Sequence, residues 1–207
     1  FKGIPRKNIK LLAGKPLIHY TITEAKKSKY LSYIVVSTED VEITNLVEKY
    51  GVDVVKRPDE LSADDTPTSH VVQHVIKFLQ EKENQNFNII VILQPTSPLR
   101  LVSDIDGAIE MFMKKKCDSV VTVSKVQHPP HWMYTIERDV LVPIIKEKNI
   151  LRRQDAPKIF QLNGAVFVTS KEYLFKNNLI FSGEIRPYIM PIERSVDIDS
   201  PLNLKLT

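Results

Sequence analysis

Three groups of residues in this 207-residue chain carry side chains that could do chemistry together. The first is Asp197-Ile198-Asp199. Side chains alternate along an extended segment, so the two carboxylates share one face and Ile198 takes the other. Two carboxylates on one face suit a hard divalent cation such as Mg2+, which typically takes one or two carboxylates, waters and substrate phosphates. The same residues equally suit an edge strand leading into a helix cap, with Asp199 or Ser200 ahead of Pro201. The second group is the basic start: Lys2, Arg6, Lys7 and Lys10, beside Gly3, Pro5 and Asn8. Lysines act as point charges on phosphate oxygens, so this loop could hold a polyphosphate. A solvated terminus is the plainer reading of such a charge run. The third group is Gln94-Pro95-Thr96-Ser97-Pro98-Leu99-Arg100, directly after the apolar run Ile89–Leu93. Its prolines fix φ and remove donors, while Gln, Thr and Ser offer several hydrogen-bonding groups. A polar turn between a strand and a helix is where open α/β sheets place ligands, although polar loops are common in any case.

Histidines offer less. His70 and His74 have a zinc-compatible spacing on a predicted helix, but no third ligand lies near them in sequence. His128 and His131 read as a polar surface pair. Asp64-Asp65 fits a cap for the helix that follows better than a cation site.

The elements that must position these groups alternate between strand and helix. Pro16 suits a first helical position, with Leu17, Ile18, Ile22 and Ala25 making one apolar face. Tyr33–Ser37 reads as a buried parallel strand. Thr38 or Asp40 caps a helix bearing Val41, Ile43, Leu46 and Val47, which Gly51 stops. Short strands at 52–55, 89–93 and 119–123 alternate with helices whose stripes include Val71, Val72, Val75, Ile76 and Leu79, and then residues 103–115. This pattern predicts an α/β fold with a doubly wound, mostly parallel sheet. After Ser124 the texture changes. A hairpin is expected across 133–136 and 140–144, and a strand at 162–168 with Gly164 inside it. Residues 125–170 therefore read as a β-rich insertion that meets a partner subunit, set into a body formed by 1–124 and 171–207. A helix near 170–178 and a strand at 188–192 complete the body.

Composition bounds the function. The hydrophobic fraction of 43% and charged fraction of 26% are those of a globular protein. No apolar run approaches the ~20 residues of a membrane span. The single cysteine, Cys117, allows no internal disulfide and fits a reducing compartment, and the first residues show no signal-peptide pattern; a cytoplasmic location is expected. The net charge of +4 suits an anionic small molecule as well as nucleic acid. The aromatic-basic interleaving of single-strand binders is absent, so no nucleic-acid partner is expected.

In this order and spacing the motifs resemble the acylneuraminate cytidylyltransferases, including relatives acting on legionaminic and pseudaminic acids. The likeness runs nearly end to end. It is carried by Lys2–Asn8, Gly14-Lys15-Pro16-Leu17-Ile18, Val36-Ser37-Thr38-Glu39-Asp40, Arg57-Pro58, Gln94–Arg100, Asn163-Gly164-Ala165 and Asp197-Ile198-Asp199. The resemblance implies a nucleotide-diphospho-sugar transferase-like fold. It implies transfer of CMP from CTP to the anomeric hydroxyl of a nine-carbon 2-keto sugar acid. It casts Lys2 and Lys7 as the catalytic cations on the triphosphate, Asn8, Arg57 and Thr68 around CTP, and Asp197 and Asp199 as Mg2+ ligands. Gln94, Thr96, Ser97, Arg153, Gln161, Asn163 and Phe167 would contact the sugar, with Arg153 suited to its carboxylate. The insertion would swap across a homodimer. Kdo cytidylyl transfer, and non-catalytic nucleotide or sugar binding on the same fold, are the alternatives. Three features depart from the family pattern. Most of the first strand and the glycine-rich start of the nucleotide loop have no counterpart here, and Phe1 stands in place of a serine, so further residues are expected to be encoded ahead of it. His131 stands where some members have lysine, and Gln161 where some have arginine. The Gln161-Leu162-Asn163-Gly164 run leans toward the legionaminic and pseudaminic relatives.

Overall fold

The computed structural model describes residues 4–63, 65–145, 152 and 156–207. A short 3-10 turn at Lys7–Ile9 leads into a tight hairpin of β1 (Leu11–Leu12) and β2 (Lys15–Pro16). Helix α1 (Leu17–Lys26) follows, so Pro16 ends a strand and stands just before the helix, in extended conformation. Strands β3 (Val35–Thr38) and β4 (Asp53–Lys56) pair in parallel around α2 (Val41–Lys49). Asp40 caps α2 by accepting from the backbone N–H groups of Glu42 and Ile43 at 2.7 and 3.1 Å. Helix α3 (Thr68–Glu83) starts after Pro67, which offers no side-chain cap; of the Asp64-Asp65 pair expected to cap it, Asp64 lies outside the described residues.

The main sheet is built from β5 (Ile89–Leu93), β6 (Ser119–Lys125), β9 (Phe160–Ser170) and β10 (Ile185–Ile189), in the order β10-β6-β9-β5. Between them run α4 (Val102–Lys114), the exposed hairpin of β7 (Tyr134–Glu137) and β8 (Val140–Pro143), and α5 (Lys171–Asn177); α6 (Pro201–Leu206) ends the chain. β10 runs parallel to β6, but β9 runs antiparallel to both its neighbours. The sheet is therefore mixed, and the β3–β4 pair forms a separate two-stranded sheet. β9 lies inside the expected insertion, 125–170, yet belongs to the main sheet. The long antiparallel pairing with β5 and β6 outweighs its place in sequence, and β7 and β8 are the mostly exposed strands of that stretch among the described residues. The last sheet strand is 185–189 rather than 188–192. It pairs with Ser119–Val123, and Ile192 already belongs to a 3-10 turn, Ile192–Arg194. Pro187 is accommodated because β10 is an edge strand.

The core has a layer on each face of this sheet. Ile105, Ala108 and Ile109 of α4 pack with Val120, Ala165, Val166, Val168 and Met190. Gly107 lets α4 meet β10: a Cβ there would come within 2.5 Å of the Tyr188 ring. On the other face Val121, Val123 and Phe167 pack with Ile92, Ile180 and Phe181. A smaller cluster of Leu12, Leu17 and Ile198 sits under the last loop, with Val196 and Leu204 against it. β5 is only half buried along its length, because it too is an edge strand of the four.

Candidate active site

The site begins where β5 ends. Gln94 leaves the strand, and the turn that follows is braced by Arg100, which is 1% exposed. Its guanidinium donates to Gln94 O at 3.1 Å, Ala165 O at 2.7 Å and Thr21 Oγ1 at 2.7 Å. The motif's arginine therefore joins the turn to β9 and to α1. Burial pulls its pKa down to about 10, opposed by the charges of Asp104 and Glu24. The Gln94 side chain lies over Gly164 of β9. Gly164 has φ +71°, and a Cβ there would stand 2.4 Å from Gln94 Oε1. The register between β6 and β9 shifts at this point, Val121 facing Phe167 and Val123 facing Leu162. Asn163 makes the bulge by accepting from its own chain's Ala165 N–H at 3.1 Å.

Thr96 ties this turn to the acidic loop. Its carbonyl accepts from Ile198 N at 2.9 Å, and its side chain favours the charged form of the Asp197 carboxylate. Ile198 is fully buried, which sends Asp197 and Asp199 to the opposite side. Asp199 Oδ1 accepts from Lys7 Nζ at 2.7 Å, 192 residues away in sequence. That bond holds the Asp199 carboxyl below the usual carboxylate range. Burial pushes the Asp197 carboxyl up; the Thr96 side chain opposes this and the charge of Asp199 adds to it. Asp197 Oδ1 is buried with no hydrogen-bond partner. Beside it opens a cleft of about 370 Å³, lined by Asp197, Ser195, Gln161, Ser124, Lys125 and His128 among others.

The structure thus brings Lys7, Thr96, Asp197, Asp199 and Gln161 to one place, with Gln94 and Gly164 beside Thr96. Asn8 is half buried in the 3-10 turn that presents Lys7. Arg57 leaves the carboxyl end of β4 and donates to Ser37 O at 2.7 Å. Thr68 is exposed at the start of α3, and among the described residues no hydrogen bond links it or Arg57 to the carboxylates. Ser97 is buried and its hydroxyl has no partner. Asn163 is 5% exposed and its amide is already used, donating to Ser195 Oγ at 3.0 Å. Phe167 is a core residue stacked on Phe181 at 5.4 Å and does not line the cleft, because its position on β9 turns it into the apolar layer. Lys2 and Arg153 lie outside the described residues. His70 and His74 belong to no group of three metal-ligating side chains among the described residues. Sequence reasoning missed Arg194, which forks onto the buried Asp104 of α4. Asp104 could be suspected as the third helical residue after Leu101, but nothing in the sequence points Arg194 at it.

Residues 2–188 match the family model described as cytidylyltransferase. The chain belongs to the cytidylyltransferase family. It is 34% identical, over all of its length and 89% of the other's, to the CMP-N,N'-diacetyllegionaminic acid synthase of Legionella pneumophila. It is 29% identical to the post-translational flagellin modification protein B of Campylobacter coli, over 99% of this chain and 88% of that one. Against the N-acylneuraminate cytidylyltransferase of Streptococcus agalactiae serotype III the identity is 34%, over 96% of this cytidylyltransferase chain and 48% of that protein. In fold it is similar to a CMP-2-keto-3-deoxy-manno-octonic acid synthetase solved with CTP, with a TM-score of 0.72 and 13% identity, covering 99% of this chain and 90% of that one.

Proposed function

We propose that this cytidylyltransferase moves CMP from CTP to the anomeric hydroxyl of a nine-carbon 2-keto sugar acid. The observation that carries the reading is the Lys7–Asp199 pair beside Asp197, held by the Gln94–Arg100 turn. In the reaction the sugar oxygen forms a bond to the α-phosphorus. The α–β phosphoanhydride bond breaks, pyrophosphate leaves, and the hydroxyl proton is released. Such transfers depend mainly on positioning and on stabilising spread charge. Lys7 supplies a cation that can exchange its carboxylate partner for a phosphate oxygen. Lys2, Asn8, Arg57 and Thr68 are assigned to the nucleotide, and Gln94, Thr96, Ser97, Gln161 and Arg153 to the sugar. In this reading Asn163 and Phe167 shape the sugar site from within the fold, through the β9 bulge and the layer beneath it.

The residues present fit a divalent cation. Asp197 Oδ1 is a hard oxygen buried without a partner, and a second carboxylate stands beside it. Asp197 and Asp199 would hold Mg2+, whose bound charge neutralises phosphate and lowers the pKa of the attacking hydroxyl. The β7–β8 hairpin exposes Ile136 and Leu141, paired across its strands, at 73% and 63%, with exposed Tyr134 on the same face. A contiguous apolar surface of this kind marks an interaction site, and a second copy of the chain is its proposed cover. Among the described residues no helix is long and apolar enough to cross a membrane, and use of CTP fits the expected cytoplasmic location.

The sugar is proposed to be of the legionaminic or pseudaminic type, supported by Gln161 on the cleft and by the diacetyllegionaminic relative. Pyrophosphate release from CTP and Mg2+ with N-acetylneuraminic, legionaminic, pseudaminic and Kdo acids in parallel tests this. Release with legionaminic or pseudaminic acid is the expected result. Release with Kdo alone would overturn the nine-carbon assignment, and preference for N-acetylneuraminic acid would overturn the narrower one.

A further inference from the structure

Asp197 and Asp199 lie on Ser195–Asp199, a segment with no regular secondary structure. A pair of ligands on irregular backbone needs fixing from outside, and Arg194 and Ser195, just upstream of Asp197, supply the anchors. Arg194 donates from Nη2 to Asp104 Oδ1 at 2.8 Å and from Nε to Asp104 Oδ2 at 3.0 Å. Asp104 is fully buried and also accepts from Leu101 N–H at 3.0 Å, so the fork is fastened to the first turn of α4. Ser195 Oγ donates to Pro191 O at 2.7 Å and accepts from Asn163 Nδ2 at 3.0 Å. The chain is thereby pinned to α4 at one residue and to the β9 bulge at the next, three and two residues before Asp197. A buried ion pair of this kind is weak as a source of stability, since apolar side chains of similar volume often do as well. Its bidentate geometry instead fixes direction.

We propose that Arg194 and Ser195 are positioning residues that set the Asp197–Asp199 carboxylates for a divalent cation, acting through Asp104 and Asn163. This rests on the cation reading given above. Groups that orient metal ligands matter because their loss typically lowers metal affinity or activity by 10–100-fold. Arg194→Lys keeps the charge and loses the fork, while Ser195→Ala removes one hydroxyl from a site that otherwise stays intact.

The test is Mn2+ binding to the enzyme–CTP complex, followed by water-proton relaxation, together with the Mg2+ concentration for half-maximal turnover. For Arg194→Lys both should shift about 10-fold toward weaker binding, and Asp104→Asn should reproduce the shift. Ser195→Ala should move both in the same direction, and it carries the test if Arg194→Lys does not fold. A fall in melting temperature with unchanged Mn2+ binding would reduce Arg194 and Ser195 to structural roles and overturn the proposal. Asp199→Ala separates the two failures. If it abolishes Mn2+ binding while the Arg194 and Ser195 variants retain it, positioning alone fails. If it leaves Mn2+ binding unchanged, the cation reading fails and takes the proposal with it.

Discussion

Replacing Arg100 by Met should loosen the whole turn that carries the site. The variant keeps the apolar stem and removes three hydrogen bonds, to Gln94 O, Ala165 O and Thr21 Oγ1. Hydrogen bonds to a charged group contribute about 1.5–3 kcal/mol each. Against that stands the cost of holding the cation in the interior. A guanidinium drawn from 12.5 to about 10 has lost about 3 kcal/mol of preference for its charged form. Gln94 O and Ala165 O are also left without this donor, which keeps the net effect destabilising. We expect a loss of about 3 kcal/mol, or roughly 6–12 °C in melting temperature for a domain of this size. Urea unfolding followed by circular dichroism measures it. A variant within about 0.5 kcal/mol of the parent would refute the reasoning, because it would mean that the three bonds merely balance the desolvation of the charge.

Gly164→Ala meets both a positive φ and the Gln94 side chain. It should cost about 1–2 kcal/mol and raise KM for the sugar with little change in KM for CTP, which steady-state kinetics will separate. Asp40→Ala removes the α2 cap and should cost about 1 kcal/mol at neutral pH. Hydrogen bonds from the Ile43 and Glu42 backbone N–H groups hold the Asp40 carboxyl below its ordinary value. Its contribution is therefore present above the unfolded value of about 3.9 and is lost as pH falls through the folded value. Parent and variant should converge in acid unfolding, and a gap that persists there would contradict the cap. If the proposed dimer forms through the β7–β8 hairpin, Ile136→Glu should convert it to a monomer in sedimentation velocity, with no change in the fold by circular dichroism.

Local chemistry made much of this molecule legible. The stripe of Val71, Val72, Val75, Ile76 and Leu79 falls within α3, Asp40 does cap α2, and Ser200 caps α6 ahead of Pro201. The same holds for the alternation that buries Ile198 and sends both aspartates to the opposite side. What stayed hidden depends on partners distant in sequence. Nothing near residue 165 tells that β9 enters the sheet antiparallel between β5 and β6, since an apolar strand reads alike in either direction. The resemblance assigns Phe167 and Asn163 to the sugar, but no local signal tells that Phe167 stacks on Phe181 or that Asn163 bonds Ser195. The Arg194–Asp104 fork spans 90 residues, and neither residue has a local motif that names the other.

The central claim is that the carboxylate pair beside Lys7 serves CMP transfer, and Asp199→Ala tests it most directly. Pyrophosphate release from CTP should fall by at least about 10³-fold, while the circular dichroism spectrum and melting temperature stay near the parent's, because the Asp199 side chain is 69% exposed. Turnover within tenfold of the parent would contradict the account and remove Asp199 from the reaction.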